Sequence, residues 1–306
     1  MRITVLCGGP SAERDISFKS GAGVAEALRQ AGHDVFVSDI SPDNLSGLDH
    51  PADVVFPVLH GDFGESGELQ TILENRGIVF VGSGSKSSAL GMDKIGAKQV
   101  WQQSGLPTPA WHVLRGEPFD ANDLGLPVVV KAIRSGSSID VFVCKTADDA
   151  RRAADELIAK HGECMMEQFI AGSELTVGLL FGHALPPIRI DTDHAFFDYS
   201  AKYTHGGATH SFDTRLPAEV VAECCRLAVE ASAVLGCRDL ARVDLRIMPA
   251  GEPFLLEINT MPGFTGTSLL PEAAAREGMT FPTLVDRLVR TAASRAPRAP
   301  VAEAVV

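Results

Sequence analysis

The first eleven residues, MRITVLCGGPS at positions 1–11, decide the fold class of the N-terminal part of this chain. The apolar run at 3–7 predicts a buried strand, and a Gly-Gly-Pro-Ser turn leads from it into 16–30, where apolar residues recur at helical spacing. Further strands are predicted at 33–38, 54–58 and 78–81, with a helix at 69–75. Such alternation implies an α/β domain: a doubly wound parallel sheet with helices on both faces.

Ligands bind at the carboxyl ends of the strands in sheets of this kind. Two glycine-rich segments follow predicted strands, GGPS at 8–11 and HGDFG at 60–64. The sequence therefore predicts that a binding site lies at this edge of the sheet.

The remaining chain has two further patterns, both of α+β type. Predicted strands at 111–114, 128–133, 141–145 and 164–168, with helices at 94–103 and 147–160, indicate a small domain built on antiparallel strands. Strands at 175–181 and 188–190, a helix at 217–235, a hairpin at 240–258 and two more helices form the last unit. We expect domains at 1–84, 85–173 and 174–306, with a frayed Ala- and Pro-rich tail at 292–306.

Composition excludes several classes of protein. Lys and Arg number 27 against 39 Asp and Glu, a net charge of −12, so nucleic acid is not expected as a partner. No apolar run reaches the roughly 18–20 residues of a membrane span, and the apolar run at 3–7 is too short for the core of a signal peptide. The six cysteines form no C-x-x-C pair, which indicates reduced thiols in a cytoplasmic protein. They are Cys7, Cys144, Cys164, Cys224, Cys225 and Cys237.

The predicted hairpin carries a polar face. If 249–252 form a four-residue turn, Asp244 lies opposite Glu257 and Arg242 opposite Asn259, all on one face. Two carboxylates and an amide are hard oxygen ligands that suit Mg²⁺ brought in with nucleotide phosphates. The alternative is a solvated polar face on an edge hairpin, but the interleaved apolar residues favour burial of the opposite face.

A second polar segment follows the strand predicted at 128–133. Lys131 is followed by Ser-Gly-Ser-Ser at 135–138, a turn that offers N–H groups and hydroxyls to phosphate oxygens. An ordinary surface loop would look the same. The segment GSGSKS at 82–87 lacks the spacing of a dinucleotide or P-loop motif, and we interpret it as an interdomain turn.

Three further clusters have both functional and structural interpretations. Glu13 follows a tight turn and could act only as a helix-start acid. His60 could be a turn histidine whose hydrogen bonds are already satisfied. The segment 197–203 could be a surface strand, yet a lysine among aromatic residues also fits a lid over a charged substrate.

Taken in order, these motifs resemble those of the D-alanine–D-alanine ligase family of the ATP-grasp superfamily. The match is collinear over 8–271 and rests on many short pieces, each weak by itself and specific together. They are Gly-Gly-x-Ser-x-Glu-Arg at 8–14, His-Gly-x-x-Gly-Glu-x-Gly at 60–67, Met-Asp-Lys at 92–94, Lys131 with Gly-Ser-Ser at 136–138, Glu167, Glu-Leu-Thr at 174–176, Phe-Asp-Tyr-Ser-Ala-Lys-Tyr at 197–203, Arg-x-Asp at 242–244, Glu-Ile-Asn-Thr at 257–260, Pro-Gly at 262–263 and Ser-Leu at 268–269.

The resemblance implies a doubly wound N-terminal domain followed by a two-domain ATP-grasp fold, with the substrates between all three. It implies that the carboxylate of one D-alanine takes the γ-phosphoryl group of ATP, and that the amine of a second then displaces phosphate to give D-alanyl-D-alanine for peptidoglycan precursors. Two alternatives stay open: an ATP-grasp ligase for another amino or hydroxy acid, and a non-catalytic ATP- or metabolite-binding module.

The resemblance also assigns roles by position. It implies a catalytic set, substrate contacts, ATP contacts and metal ligands, with ATP and two Mg²⁺ ions (Mn²⁺ as an alternative) as cofactors and a homodimer as the assembly. The catalytic set is Glu13, Ser137, Tyr203, Arg242 and Gly263; the substrate contacts are His60, Lys202, Ser268 and Leu269; the ATP contacts are Lys94, Lys131, Ser138, Glu167, Phe169, Ile170 and Glu174; the metal ligands are Asp244, Glu257 and Asn259.

The segment around the predicted phosphate loop departs from the family pattern. The family usually has proline at Ala132, glutamate at Ser135 and glycine at Asp140. We expect Asp140 to place a negative charge beside the phosphates, or else to pair with Arg134.

Overall fold

The computed structural model describes residues 1–136, 140–191, 209–265 and 268–295. The strands are β1 (Arg2–Gly8), β2 (Asp34–Ile40), β3 (Val54–Pro57), β4 (Trp111–Leu114), β5 (Val128–Lys131), β6 (Val141–Cys144), β7 (Cys164–Gln168), β8 (Ser173–Leu180), β9 (His183–Ala184), β10 (Ile188–Asp191), β11 (Thr209–Ser211), β12 (Leu240–Ile247) and β13 (Pro253–Asn259). The α-helices are α1 (Arg14–Gln30), α2 (Asp62–Glu65), α3 (Glu68–Asn75), α4 (Ser85–Met92), α5 (Lys94–Gln103), α6 (Ala147–His161), α7 (Ala218–Val234), α8 (Leu269–Arg276) and α9 (Phe281–Ala293).

In the N-terminal sheet, β1 lies between β2 and β3 and both pairs are parallel. Because side chains alternate along a strand, Ile3 and Val5 join one core with α1 and α9, whereas Leu6 joins a second core with α3. Both faces of the sheet are thus covered, which confirms the doubly wound α/β prediction. The predicted strand at 78–81 is wrong: Phe80 forms a single parallel bridge to Val55.

The turn after β1 depends on two glycines with positive φ. Gly8 has φ +84°, and a Cβ atom there would lie 2.1 Å from Oδ1 of Asp39. The Gly8 N–H donates to Oγ of Ser17 on α1 at 2.9 Å, and that hydroxyl donates to the Val58 carbonyl at 2.7 Å. These bonds hold the start of α1 against the segment that follows β3, so the motifs at 8–14 and 60–67 lie side by side.

The middle sheet has the strand order β4-β7-β5-β6 and is antiparallel throughout. Its core is formed with α6: Val128 and Val130 of β5 pack with Ala150 and Leu157 of that helix. The predicted α+β unit is therefore confirmed. Both α6 and β7 follow their predicted bounds closely, because helical spacing in the first and an apolar run in the second are local signals.

The last sheet has the order β11-β10-β8-β12-β13, with β9 paired to β8. Its core includes Leu175 and Val177 of β8, Val243 and Leu245 of β12, and Leu227 of α7. The strands β8 and β12 pair over their whole length, so the polar hairpin sits beside a central strand that is buried from Leu175 to Leu180. This position gives the hairpin one buried face and rules out a freely solvated one.

The C-terminal helix α9 returns to the first sheet and packs on α1 and β3. Ala292 is fully buried, and the Arg295 guanidinium pairs with Asp239 and donates to the Phe80 carbonyl at 2.6 Å. The predicted frayed tail therefore does not begin at Ala292, because this part of the chain is anchored; residues 296–306 lie outside the described residues.

The segment 82–87 is only partly the turn that its composition predicts. Gly82 donates its N–H to Asp239 at 2.7 Å, and α4 begins at Ser85. The serine-rich stretch after Gly84 therefore forms the first turn of a helix. Glycine and serine are poor helix formers, which explains why the sequence did not predict it.

The described residues contain no helix that is both long and apolar enough to span a membrane. Each of the six cysteines is a free thiol, as predicted. Burial raises the pKa of Cys7, Cys144 and Cys164 to about 11, so these thiols are held in their protonated form at neutral pH.

Candidate active site

A cavity of about 380 Å³ brings together residues from all parts of the chain. Its walls come from the start of α1, the segment after β3, the α4–α5 junction, strands β8, β12 and β13, and the segment before α8. The predicted site residues on its walls are Glu13, His60, Lys94, Glu174, Arg242, Asp244, Glu257, Asn259, Gly263, Ser268 and Leu269. Residues far apart in sequence thus face one space.

His60 lies on the N-terminal wall of the cavity. Its Nδ1 is 3.3 Å from Glu65 Oε1, and the Gly61 N–H donates to the other carboxylate oxygen of Glu65 at 3.1 Å. Burial by itself lowers the pKa of His60, but Glu65 and the charge of Glu13 raise it above its usual value. Nε2 is buried and has no hydrogen-bond partner in the described chain, so this wall offers a polar atom to a ligand.

The hairpin register is as predicted at the end that faces the cavity. Asp244 lies opposite Glu257 and Arg242 opposite Asn259. The predicted four-residue turn is wrong, since Ile247 pairs with Pro253 and Met248 N donates to Glu252 O. A β-bulge between Asp244 and Leu245 compensates by adding one residue on β13, which restores the predicted pairing beyond it.

The acidic pair on this hairpin already has basic neighbours. Arg242 contacts both oxygens of Asp244, with Nε and Nη2 at 3.0 and 2.8 Å, and Thr176 of β8 donates to the same carboxylate. Glu257 Oε2 is 3.4 Å from Nζ of Lys94. These cations offset the repulsion expected between facing carboxylates.

The donor set on the hairpin fits a hard divalent cation. Asp244 and Glu257 supply carboxylate oxygens, and Asn259 supplies a side-chain oxygen that also accepts a bond from Met261 N at 2.9 Å. All three line the cavity. Among the described residues no group of three or more His, Cys, Asp and Glu is arranged to bind a metal, so Asn259 is essential to this fit.

Hydrogen bonds join Thr265 and Ser268 in the wall before α8. The Ser268 hydroxyl accepts from Thr265 N at 2.9 Å and lies 2.8 Å from the Thr265 hydroxyl. A Cβ atom at Gly263 would lie 2.9 Å from Oγ of Ser268. Glycine at 263 therefore lets the chain pass close to Ser268, and Leu269 begins α8 directly afterwards.

Lys94 is the first residue of α5, and its charged side chain is buried. Its Nζ donates to the Ser135 carbonyl at 2.5 Å in addition to its contact with Glu257. Burial lowers the pKa of Lys94, and Glu257 partly offsets this. The neighbouring Gly136 also lines the cavity, whereas Ser137 and Ser138 lie outside the described residues.

Two predicted ATP contacts, Lys131 and Glu167, do not line the cavity but lie behind it. They form an ion pair, and Glu167 is shared with Lys98, whose Nζ is 2.9 Å from Oε2. Burial by itself raises the pKa of Glu167, but Lys131 and Lys98 lower it below its usual value. Sequence reasoning missed Lys98, although its place one helical turn after Lys94 was a usable signal.

The segment between β7 and β8 carries the other predicted nucleotide contacts. Arg246 Nε donates to the Ile170 carbonyl at 3.2 Å, and its guanidinium lies 5.6 Å from the Phe169 ring centroid. The same side chain reaches Glu174 at 3.4 Å. Arg246 therefore joins the segment between β7 and β8 to β12. The sequence analysis gave this residue no role.

Several cavity residues were not predicted. Lys19 of α1, Thr176 of β8 and His210 of β11 line it as well. Thr176 belongs to the Glu-Leu-Thr motif but was given no role, and no motif marks Lys19 or His210, which reach the cavity through tertiary packing. Lys202 and Tyr203, the predicted lid residues, lie outside the described residues.

Comparison with known families decides the classification. The family model described as "D-ala D-ala ligase C-terminus" matches residues 100–290, and the one described as "D-ala D-ala ligase N-terminus" matches residues 41–83. The chain belongs to the D-alanine–D-alanine ligase family. The resemblance drawn from its motifs is therefore confirmed.

Similar ligases cover almost the whole chain. The D-alanine–D-alanine ligase of Desulforudis audaxviator is 42% identical over 304 residues, with 96% of this chain and 99% of the relative covered. That of Moorella thermoacetica is 41% identical, with 94% and 98% covered. No large insertion or deletion separates this chain from these family members.

Solved structures give the same result. The D-alanine–D-alanine ligase of Bacillus anthracis superposes with a TM-score of 0.87 at 32% identity, covering 95% of this chain and 97% of the other. The VanG D-Ala:D-Ser ligase of Enterococcus faecalis superposes with a TM-score of 0.82 at 26% identity, covering 95% and 99%. The predicted ATP-grasp architecture of the second and third sheets is therefore confirmed.

Asp140 differs from the sequence-based expectation. It has φ +59°, where glycine is favoured, and its carboxylate contacts Lys160 and His161 of α6 at 2.8 and 2.7 Å. The expected pairing with Arg134 is wrong, because Arg134 pairs with Asp93. Two basic side chains therefore hold the carboxylate on α6.

We expect Asp140→Asn to destabilise the fold by up to about 1 kcal/mol at pH 7, since the Lys160 side chain that pairs with Asp140 is largely exposed. Asparagine tolerates the left-handed backbone, so the charge is the main change. Burial by itself raises the pKa of Asp140, but Lys160 and His161 lower it. The stabilisation is therefore complete above the ordinary aspartate pKa and is lost as the pH falls through the lowered one. Denaturant titrations at pH 7 and at about pH 3 test this; a difference independent of pH would contradict it.

Proposed function

We propose that this chain joins two D-alanine molecules at the expense of ATP, giving D-alanyl-D-alanine for peptidoglycan precursors. The observation that carries this is the family match over nearly the whole chain, combined with one cavity that the family's motif residues line together. A related Bacillus anthracis ligase structure is described as complexed with ATP, which supports ATP as the nucleotide.

The first step transfers the γ-phosphoryl group of ATP to the carboxylate of the first D-alanine. Glu13 would hold the ammonium of that substrate, and His60, whose Nε2 is buried without a partner among the described residues, would contact it from the same wall. Lys94 and Lys131 would bind phosphates together with Ser138. Opposite charges placed in advance stabilise the transferring group without reorganisation.

The second step is attack by the amine of the second D-alanine on the acyl phosphate. Arg242 and the Gly263 N–H would stabilise the tetrahedral intermediate, and one such donor typically contributes about 3–4 kcal/mol. Ser268, the Leu269 N–H and Lys202 would bind the second carboxylate. Phosphate then leaves, and the peptide bond forms.

Nucleotide and metal binding complete the proposal. Glu167, Phe169, Ile170 and Glu174 would frame the adenine and ribose from the crossover between β7 and β8. Asp244, Glu257 and Asn259 would hold two Mg²⁺ ions, or Mn²⁺, which when bound neutralise phosphate charge. Ser137 would link Glu13 and Tyr203 by hydrogen bonds.

The organisation of the protein belongs to the same proposal. We assign domains to 1–84, 85–173 and 174–306, a homodimer as the assembly and the cytoplasm as the location. Small-molecule substrates, and neither nucleic acid nor membrane, are the proposed partners. Sedimentation velocity at several protein concentrations tests the dimer.

The test of the function is an assay with ATP, Mg²⁺ and D-alanine that measures phosphate release and dipeptide by mass. D-serine and D-lactate are offered as competing second substrates, because a D-Ala:D-Ser ligase is among the similar structures. Mainly D-alanyl-D-alanine is expected. A different product would favour another ligase of the superfamily, and ATP binding without turnover would favour a non-catalytic module.

We expect Tyr203→Phe to shift the product ratio from amide towards ester. Tyrosine at this position goes with amide formation by the family resemblance, and loss of one hydrogen-bond partner that leaves the other unsatisfied typically costs about 1–3 kcal/mol. Competition between D-alanine and D-lactate, with the products resolved by mass, gives the ratio. An unchanged ratio in the variant would show that Tyr203 does not select the nucleophile.

A further inference from the structure

Behind the cavity wall, two lysines share one carboxylate. Lys98 of α5 and Lys131 at the end of β5 contact different oxygens of Glu167, on β7. The three side chains are 0%, 6% and 3% exposed. Charges so deeply buried persist only when they are paired, so the balance of charge in this group matters.

Lys98 has further contacts besides its ion pair with Glu167. Its Nζ donates to the Thr108 hydroxyl at 2.6 Å, and that hydroxyl donates in turn to the Leu255 carbonyl of β13 at 2.8 Å. The direction of both bonds is fixed, since a carbonyl can only accept. Nζ also lies 5.6 Å from the Trp111 ring centroid. Lys98 is thus anchored on both sides and does not line the cavity.

The group carries an excess of positive charge. Lys94 is buried nearby and is paired with Glu257, so three lysines face two carboxylates in this part of the described chain. One carboxylate can neutralise only one of the two lysines that touch Glu167. Lys94 lines the cavity beside Ser135 and Gly136, and the strand that ends at Lys131 leads to the same two residues, so the excess charge lies next to the cavity.

We propose that Lys98 is a positioning residue that neutralises Glu167 and so leaves the charge of Lys131 available to the phosphates of a nucleotide. The inference rests on the proposed use of ATP. Without Lys98, Glu167 would pair with Lys131 alone, and the excess positive charge would be lost. The effect should therefore grow with the negative charge of the ligand and be small for one that has no phosphate.

The test compares the binding of ATP and adenosine to wild type and Lys98→Met by calorimetry in Mg²⁺ buffer. Methionine replaces the apolar part of the lysine side chain as far as Cε, without the charge, and leaves Glu167 paired with Lys131. We expect ATP to bind roughly tenfold more weakly or worse, as when one member of a buried charge pair is truncated, and adenosine less than about threefold more weakly. The KM for ATP should rise, with kcat nearly unchanged at saturating ATP.

Two further variants separate charge from structure. In Lys98→Met/Glu167→Gln the carboxylate that would neutralise Lys131 is gone, so the ratio of ATP to adenosine affinity should recover towards the wild-type ratio. Thr108→Val removes the hydrogen bond and no charge, and should leave this ratio unchanged. Lys98→Gln, which keeps a donor for Thr108, replaces Lys98→Met if the latter is recovered unfolded.

Equal loss of ATP and adenosine affinity in Lys98→Met, or no recovery in the double variant, would overturn the inference in favour of a purely structural lysine. The result is separate from that of the proposed function. A wild type that binds ATP but makes no dipeptide would refute ligase activity, while the binding ratio would still decide the role of Lys98. A wild type that binds no ATP would refute both.

Discussion

Glu257→Gln is expected to lower the rate of Mg²⁺-dependent dipeptide formation by roughly a hundredfold or more, since a bound divalent cation contributes several kcal/mol to stabilising charge in the transition state. The amide has the shape of the carboxylate but no charge, so the proposed metal site loses one of two anionic ligands. Lys94 loses its acidic neighbour at 3.4 Å as well. Dipeptide is measured at saturating ATP over a range of Mg²⁺ concentrations.

The same hairpin offers a matched control. Glu252 lies exposed in the turn before β13, so Glu252→Gln removes an identical charge from the same hairpin away from the cavity. This variant should keep full activity and unfold at the wild-type temperature, and Glu257→Gln should still be folded at the temperature of the assay. Normal turnover of Glu257→Gln at low Mg²⁺ would remove the hairpin from the active site.

Gly172→Ala is expected to lower the free energy of unfolding by about 3 kcal/mol or more, a loss typical of backbone strain combined with a steric clash. Gly172 has φ +130°, and a Cβ atom there would lie 2.0 Å from the carbonyl oxygen of Ile247 on β12. A backbone atom in a paired strand cannot move aside. The crossover that carries Phe169 and Ile170 would be pushed away from β12, so ATP binding should weaken too.

Gly182→Ala is the control for conformational strain. Gly182 also has positive φ, +80°, but a Cβ atom there meets nothing within 4 Å. Only the cost of a left-handed alanine, about 1 kcal/mol, is expected. Urea denaturation of both variants measures the difference; equal losses would show that the close approach of Gly172 to β12 contributes nothing.

In the hairpin, the polar–apolar alternation of the sequence predicted the strand pairing correctly but not the length of the turn. Alternation along β12 and β13 predicted that Asp244 and Glu257 face each other, and they do. The turn length behind that prediction was wrong, and a β-bulge corrected the register. The inserted residue puts the buried positions of β13, Leu255 and Ile258, three residues apart, so strict alternation does not give the length of the turn.

Weak or misleading local signals explain the two elements that the sequence analysis predicted wrongly. The helix at Ser85–Met92 contains serine and glycine and has no clear apolar stripe, so its formation depends on packing against neighbouring elements. The strand predicted at 78–81 has the right composition, but only Phe80 pairs there, in one parallel bridge to Val55, and Gly82 just after it bonds to Asp239.

The sequence by itself determined the strand–turn–helix at the N-terminus and the polar face of the hairpin, since each depends on residues within one or two elements, and it determined the family through the order of many short motifs. Only the tertiary structure decided that Lys98 and Lys131 share Glu167 and that α9 returns to the first sheet. Those contacts join residues more than thirty positions apart. Their partners are chosen by the burial of charge and apolar surface in the assembled fold, which no local pattern records.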